Sequence, residues 1–211
     1  MSHPQQAERT KRTYQDGARR IASRSIAGLE RTSLTPDALT VAGVGLCIAG
    51  AVAVYFEYLS HWFFILGGAL FVVGSVLDIL DGALARRSGK GTPFGAFLDS
   101  TVDRVGEAFM IAAIGLVLMR EGSEWGVALA FAAMAGSFLV SYTRARAEAL
   151  GLKGDVGIGS RAERVVVLSV GLGLAPLHEL VLPAAIALLA LTAWITVLQR
   201  VLSVRAQLRS P

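Results

Sequence analysis

Four aspartates in two pairs stand between residues 78 and 103, at the edges of long apolar runs. Asp78 and Asp81 are three residues apart, and Asp99 and Asp103 are four apart, so each pair shares one face of a helix. The segment between the pairs is short, so the two helices are predicted to be antiparallel neighbours whose carboxylates converge. Four negative charges at close range repel one another unless cations neutralise them. Oxygen ligands without nearby His or Cys favour Mg²⁺ or Mn²⁺ over zinc.

A pair of divalent ions held by carboxylates commonly serves phosphoryl transfer, because the ions clamp the phosphate and the leaving oxygen. The residues around the aspartates suit such a substrate. Gly82 and Gly95 leave room for it, and Arg86 follows the first pair where a guanidinium could bind a diphosphate. The alternative is a purely structural set of ion pairs with Arg86, Arg87 and Arg104, but the regular spacing favours a metal site.

The rest of the chain has the composition of a membrane protein. Of its 211 residues, 54% are hydrophobic and 17% are charged, against about 25% charged residues in a soluble domain. Four uncharged runs are long enough to cross a hydrocarbon core of about 30 Å as helices: residues 38–56, 58–77, 125–143 and 180–199. Two further runs are interrupted or short: residues 105–119, which contain Glu107, and 165–178. We therefore predict an all-α membrane protein with six transmembrane helices.

Capping and breaker residues predict the helix ends. Thr35 and Pro36 suit the N-cap and first position of helix 1, and helix 6 is predicted to end at Arg200. Ala7–Arg31 has the pattern of a basic amphipathic helix lying on the membrane surface. The predicted domains are a tail and interfacial helix, a six-helix domain and a basic tail: residues 1–36, 37–204 and 205–211.

The charge distribution predicts the orientation. The net charge is +4, but in a membrane protein basic residues mark the cytoplasmic side rather than a nucleic-acid partner. With a cytoplasmic N-terminus, Arg120 is the one residue among 20 Lys and Arg on the outer side. The aspartates then face the cytoplasm, and we predict a multi-pass protein of the plasma membrane.

Five arginines at three helix ends lie on the same side as the aspartates: Arg144, Arg146, Arg161, Arg164 and Arg200. So many cations beside metal ions predict an anionic acceptor, and a phosphate group is the obvious anion. The alternative is the positive-inside rule alone, which explains Arg205 and Arg209 well but explains less well why the five stand beside the aspartates.

The spacing of the acidic stretch also resembles a family signature. The pattern Asp78-x-x-Asp81-Gly82-x-x-Ala85-Arg86, eight residues, Gly95, three residues, Asp99, three residues, Asp103 matches that of the CDP-alcohol phosphotransferases. Members of that family are integral membrane enzymes, generally homodimers. They transfer a phospho-alcohol from a CDP-alcohol to an acceptor hydroxyl and release CMP.

The resemblance implies a role for each matching residue. The four aspartates would bind two metal ions, with Asp78 and Asp99 on both, and Asp103 would also be the general base on the acceptor hydroxyl. The residues implied to contact the CDP part of the donor are Asp37, Ala38, Leu39, Thr40, Gly82, Arg86 and Thr92.

A second resemblance concerns the acceptor. The segment from Ser141 to Glu148, Gly154-Asp155 and Arg161-Ala162-Glu163-Arg164 look like phosphatidylinositol-phosphate synthases and their archaeal ether-lipid counterparts. In those enzymes the positions of Arg144, Arg164 and Arg200 hold the phosphate of inositol phosphate. This chain departs from them at position 144, which is often Lys, and in the variable segment before Arg161.

The resemblance implies transfer of a phosphatidyl group from CDP-diacylglycerol to inositol phosphate. Three alternatives stay open at this point: glycerol 3-phosphate as acceptor, a soluble CDP-inositol as donor, and a non-catalytic scaffold or transporter that uses the acidic cluster as an ion path.

Overall fold

The computed structural model describes residues 36–88 and 92–209, and within these ranges the chain is helical and contains no strand. Six α-helices form there: α1 (Pro36–Tyr55), α2 (Trp62–Ser88), α3 (Pro93–Arg120), α4 (Glu124–Ala149), α5 (Arg161–Leu174) and α6 (Val181–Arg209). Short 3₁₀ helices follow α1 and α5, at Glu57–Leu59 and Ala175–Leu177. The predicted interfacial helix and the Thr35 cap lie outside the described residues.

Four of these helices are long and apolar enough to cross a membrane: α1, α2, α4 and α6. Trp62 and Trp125 are highly exposed at the starts of α2 and α4, as interfacial aromatic anchors are. The other two helices differ. Helix α3 is charged along its first half, and α5 has 14 residues, about 21 Å at 1.5 Å per residue. That α3 and α5 also cross the membrane remains a prediction.

Helix α3 lies at the centre of the fold. Its side chains Met110, Ile111, Ile114, Val117 and Leu118 are buried almost completely. Around it, α1 packs against both α2 and α3, α4 packs against α3 and α6, and α5 packs against α2 and α6. The other helices therefore enclose the later, apolar half of α3, whereas the charged residues of its first half, apart from the buried Glu107, are only partly buried.

The two acidic helices meet through a third element. We expected α2 and α3 to be direct neighbours, but both pack more extensively against α1 than against each other. The start of α1 therefore joins the acidic ends of α2 and α3, which brings residues from three helices to one place.

Close packing of α1 on α2 depends on small residues, as in many membrane helix pairs. A Cβ atom at Gly74 would lie 2.5 Å from the carbonyl oxygen of Gly43 and 2.7 Å from Sγ of Cys47. The two helix backbones are therefore in contact at this point. Because Asp78 stands one turn further along α2, this contact also determines where its carboxylate lies.

Helix α6 extends beyond its predicted end at Arg200 and reaches Arg209. No Gly or Pro interrupts the segment from 201 to 209, so nothing local stops the helix. A tertiary contact also holds this last part. The side chain of Gln207 accepts a hydrogen bond from the backbone N–H of Lys153 and donates one to its carbonyl, both at 3.0 Å.

Arg120 ties together the helix ends opposite the acidic cluster. Its Nη2 donates to the carbonyl oxygen of Tyr55 at 2.6 Å and to Oε1 of Glu57 at 2.9 Å. The guanidinium also lies 4.8 Å from the ring centroids of Tyr55 and Tyr58, in cation–π geometry. A structural contact between α1 and α3 therefore accounts for the one basic residue predicted on the outer side.

The α1–α2 contact predicts a strong effect of one methyl group. Gly74→Ala should destabilise the protein by about 1–3 kcal/mol, because overpacking forces the helices apart. Gly45→Ala on α1 is the matched control, since its Cβ would meet nothing within 4 Å and alanine favours a helix. Thermal unfolding of the detergent-solubilised variants measures the difference. Equal midpoints for the two variants would contradict the close contact.

Candidate metal-binding active site

Three of the four aspartates come together at the junction of α2 and α3. Asp78, Asp99 and Asp103 each place a carboxylate oxygen so that the three oxygens lie within 4.8 Å of one another. Asp99 and Asp103 stand one turn apart on α3, and Asp78 reaches them from α2 while only 8% exposed. The structure therefore brings the second predicted pair together with Asp78 of the first pair, although the helices that carry them pack mainly on α1.

Asp81 lies one turn beyond Asp78, outside this closest group. It is 2% exposed, and its Oδ2 accepts a hydrogen bond from the hydroxyl of Thr40 on α1. Its Oδ1 is buried and has no hydrogen-bond partner among the residues that the structure describes. A buried carboxylate oxygen without a partner is costly. A divalent cation would satisfy it, so the four carboxylates fit the predicted metal site.

Among the described residues, Arg161 is the cation in closest contact with these acids. It begins α5, and its guanidinium forms ion pairs with Asp78 and with Asp103, the latter at 2.5 Å between Nη2 and Oδ1. Arg104 is more distant, with Nη1 at 4.0 Å from Oδ2 of Asp103. We predicted Arg161 as a ligand of the acceptor phosphate, and the structure places it between the acids and the neighbouring cavity.

A capping box places Arg161 at the start of α5. The Ser160 hydroxyl accepts from the backbone N–H of Glu163, and a Glu163 carboxylate oxygen accepts from the N–H of Ser160 at 2.6 Å. Hydrogen bonding from Ser160 lowers the pKa of Glu163, so this cap is charged at neutral pH. A negative charge in the first turn also suits the positive end of the helix dipole.

The residues predicted to bind the donor surround the same junction. Leu39 is buried against Leu84, so its side chain serves packing, whereas Asp37 and Ala38 are exposed at the start of α1. Thr92 caps α3 by accepting from the N–H of Gly95 at 2.9 Å.

Gly95 keeps the start of α3 close to α1. A Cβ atom at Gly95 would lie 3.2 Å from Oδ1 of Asp37, so a larger residue would crowd this acid. Gly82 is half-buried on α2, and Arg86 lies in the last turns of that helix, with its side chain outside the described part. The first turn of α1, the end of α2 and the start of α3 thus converge around the acids.

A cavity of about 130 Å³ opens beside the acids. It reaches from Asp103 on α3 to α4, α5 and α6, and four of the five predicted acceptor-binding arginines line it: Arg144, Arg161, Arg164 and Arg200. Arg104 lines it as well, a residue that we considered from the sequence as an ion-pair partner. Arg146 is exposed and is not part of the lining. Asp103 is common to the acidic cluster and the cavity.

The arginines that line the cavity have different surroundings. Arg144 is exposed and forms an ion pair at 2.9 Å with Glu148 on its own helix. Arg200 is buried, and its guanidinium donates to the carbonyl oxygens of Val140 and Val156. These bonds connect α6 to α4 and to the segment between α4 and α5. Arg144 can therefore move toward a ligand at little cost, whereas Arg200 also holds the wall.

Arg164 has a partner that we did not predict. Its guanidinium forms a two-point contact with the carboxylate of Glu107, and both residues are buried. The signal was present in the sequence, because Glu107 interrupts an apolar run and an ionisable residue in such a run usually has a function. The structure adds the partner, which comes from a different helix.

Taken together, the acidic junction can bind divalent cations, and the cavity can bind an anion next to Asp103. Asp103 belongs both to the acidic cluster and to the lining of the cavity, so it could remove a proton from a group held in the cavity. This arrangement suits a reaction at phosphorus in which a phosphate-bearing nucleophile approaches the metal site from the arginine side.

Comparisons with known proteins agree with this chemistry. Residues 33–204 match the model of the family described as CDP-alcohol phosphatidyltransferase. The phosphatidylinositol phosphate synthase of Mycolicibacterium smegmatis is 40% identical over 186 residues, covering 83% of this chain and 79% of that one. The archaetidylinositol phosphate synthase of Pyrococcus horikoshii is 40% identical over 185 residues, covering 85% and 88% of the two chains.

The fold is shared with a solved enzyme. The crystal structure of Mycobacterium tuberculosis phosphatidylinositol phosphate synthase with CDP-DAG bound has a TM-score of 0.78 and 32% identity, covering 88% of this chain and 94% of that one. The complex of the same enzyme with manganese and citrate has a TM-score of 0.76 and 31% identity, covering 87% and 88%. The chain therefore belongs to the CDP-alcohol phosphatidyltransferase family, and it is a membrane enzyme of phospholipid biosynthesis that transfers substituted phosphate groups.

Proposed function

We propose that the enzyme transfers the phosphatidyl group of CDP-diacylglycerol to a hydroxyl of inositol phosphate, giving phosphatidylinositol phosphate and CMP. The observation that carries this proposal is the position of Asp103, which belongs both to the acidic cluster and to the arginine-lined cavity. The relatives support the same substrates. One solved structure contains CDP-DAG, and the related enzymes are synthases of inositol-phosphate lipids.

The proposed metal site holds two divalent ions, Mg²⁺ or Mn²⁺, on Asp78, Asp81, Asp99 and Asp103. The unpartnered Oδ1 of Asp81 and the convergence of the other three carboxylates support this ligand set, and manganese is present in a structure of the related mycobacterial enzyme. When bound, divalent ions would stabilise negative charge on the transferred phosphate and on the leaving CMP.

The protein residues carry out the remaining steps. Asp103 accepts the proton of the acceptor hydroxyl, whose oxygen then forms a bond to the phosphatidyl phosphorus. The bond from that phosphorus to the bridging oxygen breaks, and CMP leaves with the electron pair. We propose that Asp37, Ala38, Leu39, Thr40, Gly82, Arg86 and Thr92 orient the CDP part of the donor.

The acceptor phosphate is proposed to lie in the cavity against Arg144, Arg161, Arg164 and Arg200. An arginine fork suits phosphate recognition. Arg146, which we included from the sequence, is exposed and would act through the general positive potential. A phosphorylated polyol of another kind, such as glycerol 3-phosphate, would satisfy the same cations, so an acceptor panel is part of the test below.

The orientation and assembly follow as proposals from the charge pattern and the family. Basic residues from α3, α4, α5 and α6 line the cavity beside the acidic cluster, and Arg120 lies at the opposite end of α3. On the positive-inside rule we propose that the site lies at the cytoplasmic face of the plasma membrane. Six transmembrane helices and a homodimer are the arrangement that the family resemblance implies.

Replacing the proposed base should abolish the reaction. We expect Asp103→Asn to lower CMP release about 10²- to 10⁴-fold, because an amide cannot accept the proton and is a weaker metal ligand. The assay uses purified protein, CDP-diacylglycerol, Mn²⁺ and either 1D-myo-inositol 3-phosphate or glycerol 3-phosphate. Glu179→Gln, which changes an exposed acid in the turn before α6, is the matched control. An unaffected Asp103→Asn variant would exclude the base, and turnover with glycerol 3-phosphate alone would exclude the proposed acceptor.

Replacing an exposed cavity arginine should affect one substrate selectively. We expect Arg144→Gln to raise the KM for the phosphorylated acceptor about 3- to 30-fold, as the loss of a charged hydrogen bond at a partly solvated site would. The KM for the donor should stay the same. Arg205→Gln, an exposed arginine on α6, is the control. An unchanged acceptor KM in Arg144→Gln would remove this residue from the proposed site.

A further inference from the structure

Glu107 is a charged residue in the buried middle of the helical bundle. It stands on α3 one turn beyond Asp103 and is 6% exposed. A carboxylate in such a place is stable only if other groups compensate its charge. Glu107 follows Asp103 at the same four-residue spacing as Asp103 follows Asp99. It is nevertheless not one of the three acids, Asp78, Asp99 and Asp103, whose carboxylate oxygens lie together. Its role is therefore separate from that of the acidic cluster.

The compensating group is Arg164, which is 4% exposed. Its Nε donates to Oε1 of Glu107 at 2.6 Å, and its Nη2 donates to Oε2 at 2.9 Å. Its Nη1 donates to the carbonyl oxygen of Gly159 at 2.9 Å. Three bonds from three nitrogens fix both the position and the plane of the guanidinium.

Gly159, whose carbonyl oxygen accepts from Arg164, is itself held by α6. The backbone N–H of Gly159 donates to the hydroxyl of Thr196 at 2.8 Å, and Thr196 is fully buried on α6. The hydroxyl of Thr196 in turn donates to the carbonyl oxygen of Thr192 at 2.7 Å. Arg164 is therefore fixed between α3 on one side and α6 on the other.

Within the described part of the chain, Arg164 uses three of the five N–H groups of a guanidinium for these bonds. The remaining two form no hydrogen bond with the described residues, and both Arg164 and Glu107 line the arginine-lined cavity. Glu107 also balances one of the positive charges there. Without it, Arg104, Arg161, Arg164 and Arg200 would repel one another more strongly, and Arg164 would lose its two-point support.

We propose that Glu107 is a positioning residue for the acceptor, which holds the Arg164 guanidinium in the orientation that receives the acceptor phosphate. The proposal rests on the proposed function, since it assigns a role within the same acceptor site. Glu107 itself does not need to touch the substrate. Because Glu107 already orders the Arg164 side chain, the acceptor does not have to order it on binding. Glu107 should therefore increase the affinity for the acceptor and have little effect on the rate of the chemical step.

The test is a steady-state analysis of Glu107→Gln in the purified full-length enzyme. An amide oxygen can accept one of the two bonds, but the amide NH₂ group cannot accept the other, and the negative charge is lost. We expect the KM for the phosphorylated acceptor to rise about 10- to 100-fold, with kcat and the donor KM changed less than about twofold. A merely structural pair would instead lower kcat, through a smaller folded fraction, and leave both KM values unchanged. That result would overturn the proposal.

Conservative variants keep the test decisive if Glu107→Gln folds poorly. Glu107→Asp keeps the charge with a shorter reach and should raise the acceptor KM by a smaller factor. Arg164→Lys keeps the positive charge without the planar fork and should raise the acceptor KM about as much as Glu107→Gln. Glu124→Gln, an exposed acid at the start of α4, is the matched control. An unchanged acceptor KM in both conservative variants would overturn the proposal.

The choice of acceptor in these KM measurements allows the proposed function and the role of Glu107 to be tested separately. The KM is measured with whichever of 1D-myo-inositol 3-phosphate and glycerol 3-phosphate supports turnover by the unaltered enzyme. Turnover with glycerol 3-phosphate alone would overturn the proposed acceptor, while the KM ratio would still decide the role of Glu107. Turnover with neither compound would overturn both.

Discussion

The concentration of negative charge near the end of α2 and the start of α3 is the constraint on which the rest of the structure depends. Carboxylates from two helices lie within a few ångströms of one another, and without compensation their repulsion would separate the helices. The protein supplies part of the compensation through Arg161 and through the hydroxyl of Thr40. The unpartnered oxygen of Asp81 indicates what is still required, which is a small cation of high charge.

A charged helix can serve this purpose only if other helices surround it. Helix α3 carries both acids of the second pair, which are partly buried, and Glu107, which is buried as are many side chains of the later half of the helix. The small residues of α1 and α2 allow those helices to approach closely, and α1 fills the space between α2 and α3. The need to bring the acids of α2 and α3 together thus accounts both for the apolar helices that pack around α3 and for the charged residues that α3 itself carries.

The arginines around the cavity are alike in the sequence and unlike in the structure. Arg161 faces the acids, Arg164 is held by Glu107, and Arg200 is bonded to backbone carbonyls, while Arg144 is exposed. The arginines therefore differ in what they do: Arg161 neutralises acids, Arg164 is a guanidinium fixed in place, and Arg200 joins helices. Their combination gives a cavity that is lined by positive charges and partly balanced by Glu107, which suits the binding of an anion.

The sequence by itself determined the chemistry and the class of fold. The spacing of the aspartates, their residue type and the signature around them predicted a metal-dependent phosphotransferase, and the family is confirmed. Long apolar runs predicted the helices, and a helix of the structure covers most of each run, although several helices extend beyond the apolar residues. Such features are local, because helix periodicity and capping depend on residues a few positions apart. The tertiary structure alone decided which groups meet: Thr40 with Asp81, Arg161 with Asp78, and Arg164 with Glu107. These pairs join residues 41 to 83 positions apart, and only the packing of whole helices brings them together.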